Sequence, residues 1–441
     1  MPHLELGTLT LLLAQIAAVM FVSRMVGVVA RWVGQPLVIA EVIAGIVLGP
    51  SLLGWVWPEA MTVLFPENSL IVLRMLSQIG LVLFMFLVGL KLDLKLFEVR
   101  TGESVFISHA SIIVPFALGA VASWWLYAAY ASPGVPFLPF LLFMGISMSV
   151  TAFPVLARIL EEQHLLESRI GAIAIVCAAV DDVTAWCLLA LVVAVANNQS
   201  IASASWTTVL ALIFILVMVF LVRPLLRILW TRFVGQEGLM PSAVALIFLL
   251  LFASSALTEL IGIHALFGAF FFGAMLPKEA RIAKFLVERL ETVTVVIFLP
   301  LFFAYSGLRT QIGLVNQVDE WLVTGILILI ATLGKFGGSA VAARLTGLRW
   351  SEASVIGILM NTRGLMELVV LNIGLDLGVI SPTIFTMLVL MALVTTIATT
   401  PALLCIRSFD RSTAASSPMF LVQPQTSISS AVSWRSSGNN P

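Results

Sequence analysis

Apolar runs of about 20 residues, the length needed to cross a bilayer as a helix, recur along nearly the whole chain and are separated by short polar breaks. They centre near 8–31, 36–54, 70–91, 104–128, 137–160, 169–196, 205–226, 239–260, 262–277, 285–308, 320–344, 350–376 and 381–406, which predicts about thirteen membrane-spanning helices. The run at 262–277 is short, so twelve is the nearest alternative count. Two runs contain helix-interrupting residues at mid-span. One is "SMSVTAFPVLARIL", with Thr151 and Pro154; the other is "MNTRGLMELVV", with Asn361, Thr362, Arg363 and Gly364. These are the fifth and twelfth runs. Their separation suits two six-helix repeats, about 8–196 and 239–407, joined by a linker helix near 205–226. An odd offset between matching helices gives the halves opposite orientation, and paired interrupted helices in matching positions point to a transport site.

Composition agrees with the pattern. Residues are 60% hydrophobic and 10% charged, with a mean hydropathy of +1.10, whereas soluble domains carry about 25% charged residues. Lys and Arg decide the orientation. Arg24, Arg31, Lys91, Lys95, Arg100, Arg158, Arg169, Arg223, Arg227, Arg232, Lys278, Arg281, Lys284, Arg289, Arg344, Arg349, Arg407, Arg411 and Arg435 all fall on one side of the alternating spans, and only Arg309 falls on the other. The positive-inside rule then places the N-terminus outside and the C-terminus in the cytoplasm of a cell membrane, by expectation a bacterial inner membrane. "MPHLELG" lacks the basic start of a signal peptide, so the first run is expected to remain as a span. Residues 409–441 are rich in Ser and Pro, without apolar period, and read as a disordered cytoplasmic tail following a membrane domain over 1–408. Cys177, Cys187 and Cys405 all lie within apolar runs and read as buried small hydrophobes. Membrane lipids are the surrounding partner; no cofactor and no nucleic acid is expected.

Arg74, Lys335 and Arg363 are the basic residues left inside spans, beside the acids Glu41, Asp181, Asp182 and Glu367. Each aspartate at a bilayer centre costs about 2.5–3.5 kcal/mol to insert, so the adjacent pair in "AAVDDVTAW" marks a functional centre. Successive helical residues point about 100° apart. Asp181 and Asp182 therefore share a depth but face different neighbours, and titrate as a coupled pair. Lys335, in "LGKFGG", is the natural cation for one of them. Arg363 and Glu367, spaced i, i+4, are expected to pair and also to satisfy free helix ends. Arg74 is the expected mate of Glu41. His264 reads as a satisfied polar residue rather than a ligand.

"GQPLVIAEVIAGIVLGPSLLG", "SMSVTAFPVLARIL", "AAVDDVTAW", "LPLFFAYSGLRT", "LGKFGG" and "MNTRGLMELVVLNIGLDLG" occur in this order from about Gly34 to Pro401. Together they resemble the second monovalent cation:proton antiporter family, in its branch of plant and bacterial cation/proton exchangers. The resemblance implies an all-α membrane protein with the sodium/proton antiporter fold: inverted repeats, crossed discontinuous helices, a core domain and a dimerisation panel, and hence a homodimer. It implies that Asp182 binds the ion, that Asp181 pairs with Lys335, and that Thr151 lies beside the ion. Asn361, Thr362, Arg363 and Glu367 fall on the second unwound helix. The expected activity is exchange of Na⁺ or K⁺ for H⁺ by alternating access, cation and proton competing for the Asp181/Asp182 site. Adjacent acids with a lysine favour electrogenic exchange. The tail carries neither the nucleotide-binding domain of glutathione-gated potassium efflux members nor the long cytoplasmic domain of plant members, so ligand gating of the former kind is not expected. A cation channel, or a proton- or sodium-coupled symporter of the same fold, is the alternative. An intramembrane aspartyl protease is disfavoured, because its chemistry needs two carboxylates sharing a proton and adjacent aspartates on one helix point apart.

Overall fold

The computed structural model describes residues 7–91, 101–163, 165, 168–197, 201–235, 238–239, 241–277 and 280–414. Every expected apolar segment is helical. Among the described residues, nine helices are long and apolar enough to cross a membrane on their own. The difference from about thirteen has local causes. The runs at 137–160 and 350–376 are broken into Phe137–Ser149 with Phe153–Glu162, and Trp350–Met360 with Leu365–Asp376. Ala265–Met275 has only 11 residues. The run at 285–308 begins as a charged helix, Ala280–Val293, and reaches its apolar half, Leu299–Leu308, through a π turn.

A short antiparallel ribbon, Val234–Gly235 against Gly238–Leu239, departs from the all-helical expectation just ahead of the helix Pro241–Ile261. The last helix, Pro382–Ala414, continues beyond the expected boundary at 408. The rest of the expected tail, 415–441 with Arg435, lies outside the described residues, as do Lys95, Arg100 and Lys278.

The helices sort into two packing groups. Thr8–Trp32, Leu37–Leu48, Glu67–Lys91, Pro241–Ile261, Ala265–Met275 and Leu299–Leu308 pack among themselves. So do Thr101–Tyr130, Phe137–Ser149, Phe153–Glu162, Arg169–Asn197, Val318–Leu345, Trp350–Met360, Leu365–Asp376 and Pro382–Ala414.

The first group is drawn together by glycines facing backbone. A Cβ on Gly45 would stand 2.1 Å from the carbonyl oxygen of Ala304, and one on Gly307 2.3 Å from that of Val42. Gly89 and Gly273 do the same against Phe270 and Phe86, at 2.1 and 2.2 Å. With no hydrophobic drive between helices in lipid, such close approach supplies the packing. Gly89→Ala is expected to cost about 3 kcal/mol, because a backbone carbonyl cannot swing aside. Thermal unfolding in detergent reads the loss; an unchanged midpoint would contradict the packing.

Two expectations are corrected. Arg74 sits on a largely exposed face of its helix and reaches Asp376 at 3.8 Å rather than Glu41. Cys177 is buried, but Cys187 and Cys405 are exposed on the bundle exterior, because they occupy helix faces turned away from the core. His264 is a satisfied polar residue: its Nδ1 accepts the Leu266 N–H at 3.4 Å and caps Ala265–Met275.

Candidate functional site

The two broken helices cross in the second packing group. Val150 is extended and ends Phe137–Ser149; Pro154 follows in the first turn of Phe153–Glu162, where its missing N–H costs nothing. On the other side Asn361, Thr362, Arg363 and Gly364 separate Trp350–Met360 from Leu365–Asp376. The breaks are tied together: Ala152 N–H donates to Thr362 O at 3.0 Å, and Thr151 Oγ1 lies 3.3 Å from Met360 O. A Cβ on Gly364 would meet Val155 Cγ2 at 2.8 Å, so the crossing leaves little room for a side chain there.

The unbroken helix Arg169–Asn197 brings both aspartates to this crossing, with Asp181 1% and Asp182 4% exposed. The 100° between them gives each its own hydrogen-bond partners. Asp181 Oδ1 accepts Ser108 Oγ at 2.5 Å. Its Oδ2 accepts Ser111 Oγ at 2.7 Å, Thr151 Oγ1 at 2.7 Å and Lys335 Nζ at 3.0 Å. Lys335 is fully buried and lies on a π turn, Leu333–Gly337, within its span; such turns recur at functional sites. It also stands 3.5 Å from Ser111 Oγ.

Asp182 instead meets the start of Phe153–Glu162. It accepts the Phe153 backbone N–H, at the positive end of that half-helix. Its Oδ1 has no hydrogen-bond partner among the described residues, and neither has the buried Oδ1 of Asn361 at the other break. Buried polar atoms are ordinarily bonded, so these acceptors mark places prepared for a donor or a cation. No cluster of three His, Cys, Asp or Glu occurs among the described residues. Any ion here would be held by one or two carboxylates and neutral oxygens, the set that hard cations prefer.

Arg363 and Glu367 form the expected i, i+4 pair, at 2.7 Å and fully buried. Arg363 also donates to Ser147 O and Met148 O, both at 2.7 Å. These are terminal carbonyls of Phe137–Ser149, so the guanidinium of one broken helix caps the negative end of the other.

Ser108 and Ser111 escaped the sequence reading. With Ser104 they recur at i, i+4, i+7 in a largely apolar helix, which places them on one face; that spacing was the available signal. Ser111→Ala is expected to destabilise the protein by about 1.5–3 kcal/mol, the worth of a hydrogen bond to a charged group. Thermal unfolding would show it, and an unchanged midpoint would remove the hydroxyl from the site.

Known proteins resemble the chain over most of its length. Residues 17–405 match the family model described as "Sodium/hydrogen exchanger, transmembrane". The chain is 41% identical over 399 residues to the Na⁺/H⁺ antiporter NhaS4 of Synechocystis, covering 90% of this chain and 97% of that protein. It is 42% identical over 400 residues to Cation/H⁺ antiporter 17 of Arabidopsis thaliana and 34% identical over 401 residues to K⁺/H⁺ antiporter 1 of Saccharomyces cerevisiae, covering 90% and 89% of this chain. It spans 48% and 46%, about half, of these two longer proteins. The sodium proton antiporter NhaP1 of Methanocaldococcus jannaschii has a similar fold, with a TM-score of 0.63 at 14% identity over 93% of this chain and 99% of that one.

Proposed function

Because the chain belongs to the sodium/hydrogen exchanger family, a family of multi-pass membrane transporters and not of enzymes, we propose that it is a secondary antiporter exchanging a monovalent cation, Na⁺ or K⁺, for H⁺ by alternating access. The observation that carries the reading is the unequal bonding of the two aspartates. Asp181 is saturated by four donors, including Lys335. Asp182 keeps an unpartnered oxygen at the crossing. Glu367 Oε1 is unpartnered too, but its other oxygen is held by Arg363, and Asp181 is held by Lys335. Asp182 is thus the carboxylate at the crossing left to take a cation or a proton, Asp181 and Thr151 line the same crossing, and Asn361 offers a further oxygen.

Charge explains the coupling. Of the side chains at the crossing, Asp181, Asp182 and Glu367, when ionised, outnumber Lys335 and Arg363 by one, all five being buried; the buried Glu41 is not counted in this set. A single H⁺ or a single monovalent cation balances the excess. Either ligand relieves the cost of a buried charge, and the two cannot both do so. Competition at one carboxylate then links the two fluxes without a separate gate.

The remaining features fit the same proposal. The two glycine contacts in the first packing group join Leu37–Leu48 to Leu299–Leu308 and Glu67–Lys91 to Ala265–Met275. Exchanging the halves 8–196 and 239–407 interconverts these contacts, as inverted repeats require. The bias of Lys and Arg to one side supports an external N-terminus and a cytoplasmic C-terminus in a cell membrane, bacterial inner membrane included, and the family implies a homodimer. Competition at Asp182 alone gives one-for-one exchange. Release of a second proton from Lys335 as the cation weakens its pair with Asp181 would make exchange electrogenic, and transport indifferent to membrane potential would exclude that step.

In everted vesicles carrying the protein, adding Na⁺, K⁺ or Li⁺ is expected to collapse a preset pH gradient, with the order of effectiveness giving selectivity. Failure of all three cations, with the protein present in the membrane, would overturn the antiport reading.

A further inference from the structure

Among the described residues, a cluster of hydrogen bonds and ion pairs joins the two packing groups far from the aspartates. Leu365–Asp376 starts at the crossing and runs about 17 Å along its axis before ending at Asp376. There Arg309, which follows Leu299–Leu308 of the first group, reaches Asp376 Oδ1 at 2.7 Å and Asn372 Oδ1 at 3.0 Å on the second. Asn372 Nδ2 donates back across the seam to Ser306 Oγ at 2.7 Å. The Gln311 N–H points to Thr386 Oγ1 at 3.3 Å. The Arg309 guanidinium also lies over Tyr305 of its own group and Phe385 of the other, 5.6 and 5.9 Å from the ring centres. Under this cluster is a cavity of about 30 Å³ edged by Ser77, Gln78, His264, Tyr305 and Asn372, room for about one water. These bonds tie the two groups together at this end of the seam.

The contact near Arg363 has another character. Val38, Ile39 and Val42 face Leu368, Ala392 and Leu393. Apolar faces slide without breaking directional bonds. Gln35 adds one long bond to Ile397 O, at 3.3 Å.

We propose that Arg309, Asp376 and Asn372 form a latch that holds the two packing groups together at the Lys- and Arg-poor end, so that its release admits the cation to Asp182 from that face. The inference rests on the alternating-access reading above. Alternating access requires the groups to shift against each other, and these bonds must then break, together with the longer contact of Arg74 to Asp376 at 3.8 Å. Arg309 and Asp376 retain 21% and 25% side-chain exposure, enough for water to replace the bonds as the seam opens. The three are positioning residues: they act on the balance between two arrangements, not on the ion.

The test uses full-length protein in proteoliposomes, with Cys187 and Cys405 replaced by serine and the reporter Ser77→Cys in the cavity wall. A membrane-impermeant maleimide is added on the Arg309 face. Asp376→Asn and Arg309→Gln should each raise the labelling rate by roughly tenfold or more, as loss of a charged hydrogen bond predicts. They should also lower the apparent half-saturating cation concentration on that face and raise it on the other, an asymmetry that general loosening would not produce. In a second arm, Ser306→Cys with Asn372→Cys, bridged by a short bifunctional thiol reagent with a cleavable disulfide, should arrest exchange until reductant is added. Unchanged labelling in both single variants, or full exchange in the bridged protein, would overturn the latch. If wild-type protein exchanges no cation for H⁺ but labelling responds, the antiport reading fails and the latch stands. If exchange is normal and neither arm responds, the latch alone fails.

Discussion

Asp182→Asn is expected to abolish cation/proton exchange while leaving folded protein at the wild-type level. The substitution keeps the shape of the side chain and leaves an oxygen to accept the Phe153 N–H. It removes no other described hydrogen bond, since Oδ1 has none. What disappears is the charge. A carboxylate and a monovalent cation about 4 Å apart attract by about 4 kcal/mol at an effective dielectric of 20, which is about a 1000-fold loss of binding. Asn also cannot take up the proton that competes with the cation.

Asp181→Asn should fail differently. Lys335 would be left fully buried without its counter-charge, a state costing about 3–5 kcal/mol, so the loss should extend to the amount and thermal stability of the protein. Dissipation of a pH gradient in everted vesicles, measured beside thermal unfolding, separates the two. Full exchange by Asp182→Asn would sink the assignment of the ion to Asp182. Wild-type stability in Asp181→Asn would sink the division of labour between the acids.

Much of this site was legible along the chain, because charge is rare in an apolar sequence and every mid-span charge stands out. Asp181, Asp182, Lys335, Arg363 and Glu367 were visible for that reason, and the i, i+4 spacing of the last two foretold their pairing. Thr151, Pro154 and the Asn361–Gly364 stretch were visible because a proline or a run of polar residues stops a helix wherever it falls. Partners across space were less legible. Ser108 and Ser111 looked like the small residues of ordinary helix packing; their spacing with Ser104 puts them on one face, but it is their contact with Asp181 that gives them a role. Arg74 was paired with Glu41 by sequence proximity, whereas it reaches Asp376 near the other end of the chain. The count of spans was blurred by the same interruptions that revealed the site, since a helix broken at mid-membrane has no long apolar core.

Arg363→Met is expected to cost about 3–5 kcal/mol for breaking a buried ion pair from one side, as Asp181→Asn does, and more than that variant because two helix-end carbonyls lose their donor as well. Three partners lose their donor at once: Glu367 Oε2, Ser147 O and Met148 O, each 2.7 Å from the guanidinium. Glu367 would remain fully buried, with a charge to lose or a proton to gain. The two carbonyls would face the interior at the negative end of Phe137–Ser149 without a cap. Adding Glu367→Met should recover only part of the loss. The double variant removes the stranded charge, and well-packed apolar residues can replace a buried pair at little cost, but the carbonyls stay unbonded at about 1–3 kcal/mol each. Arg363→Lys should also fall short, because one ammonium on a flexible stem cannot reproduce the planar fork that spans both carbonyls and the carboxylate. Thermal unfolding in detergent ranks the three variants. Complete recovery in the double variant would mean that the pair acts only as an ion pair. Partial recovery identifies Arg363 as the cap that lets a helix end inside the membrane beside the aspartates.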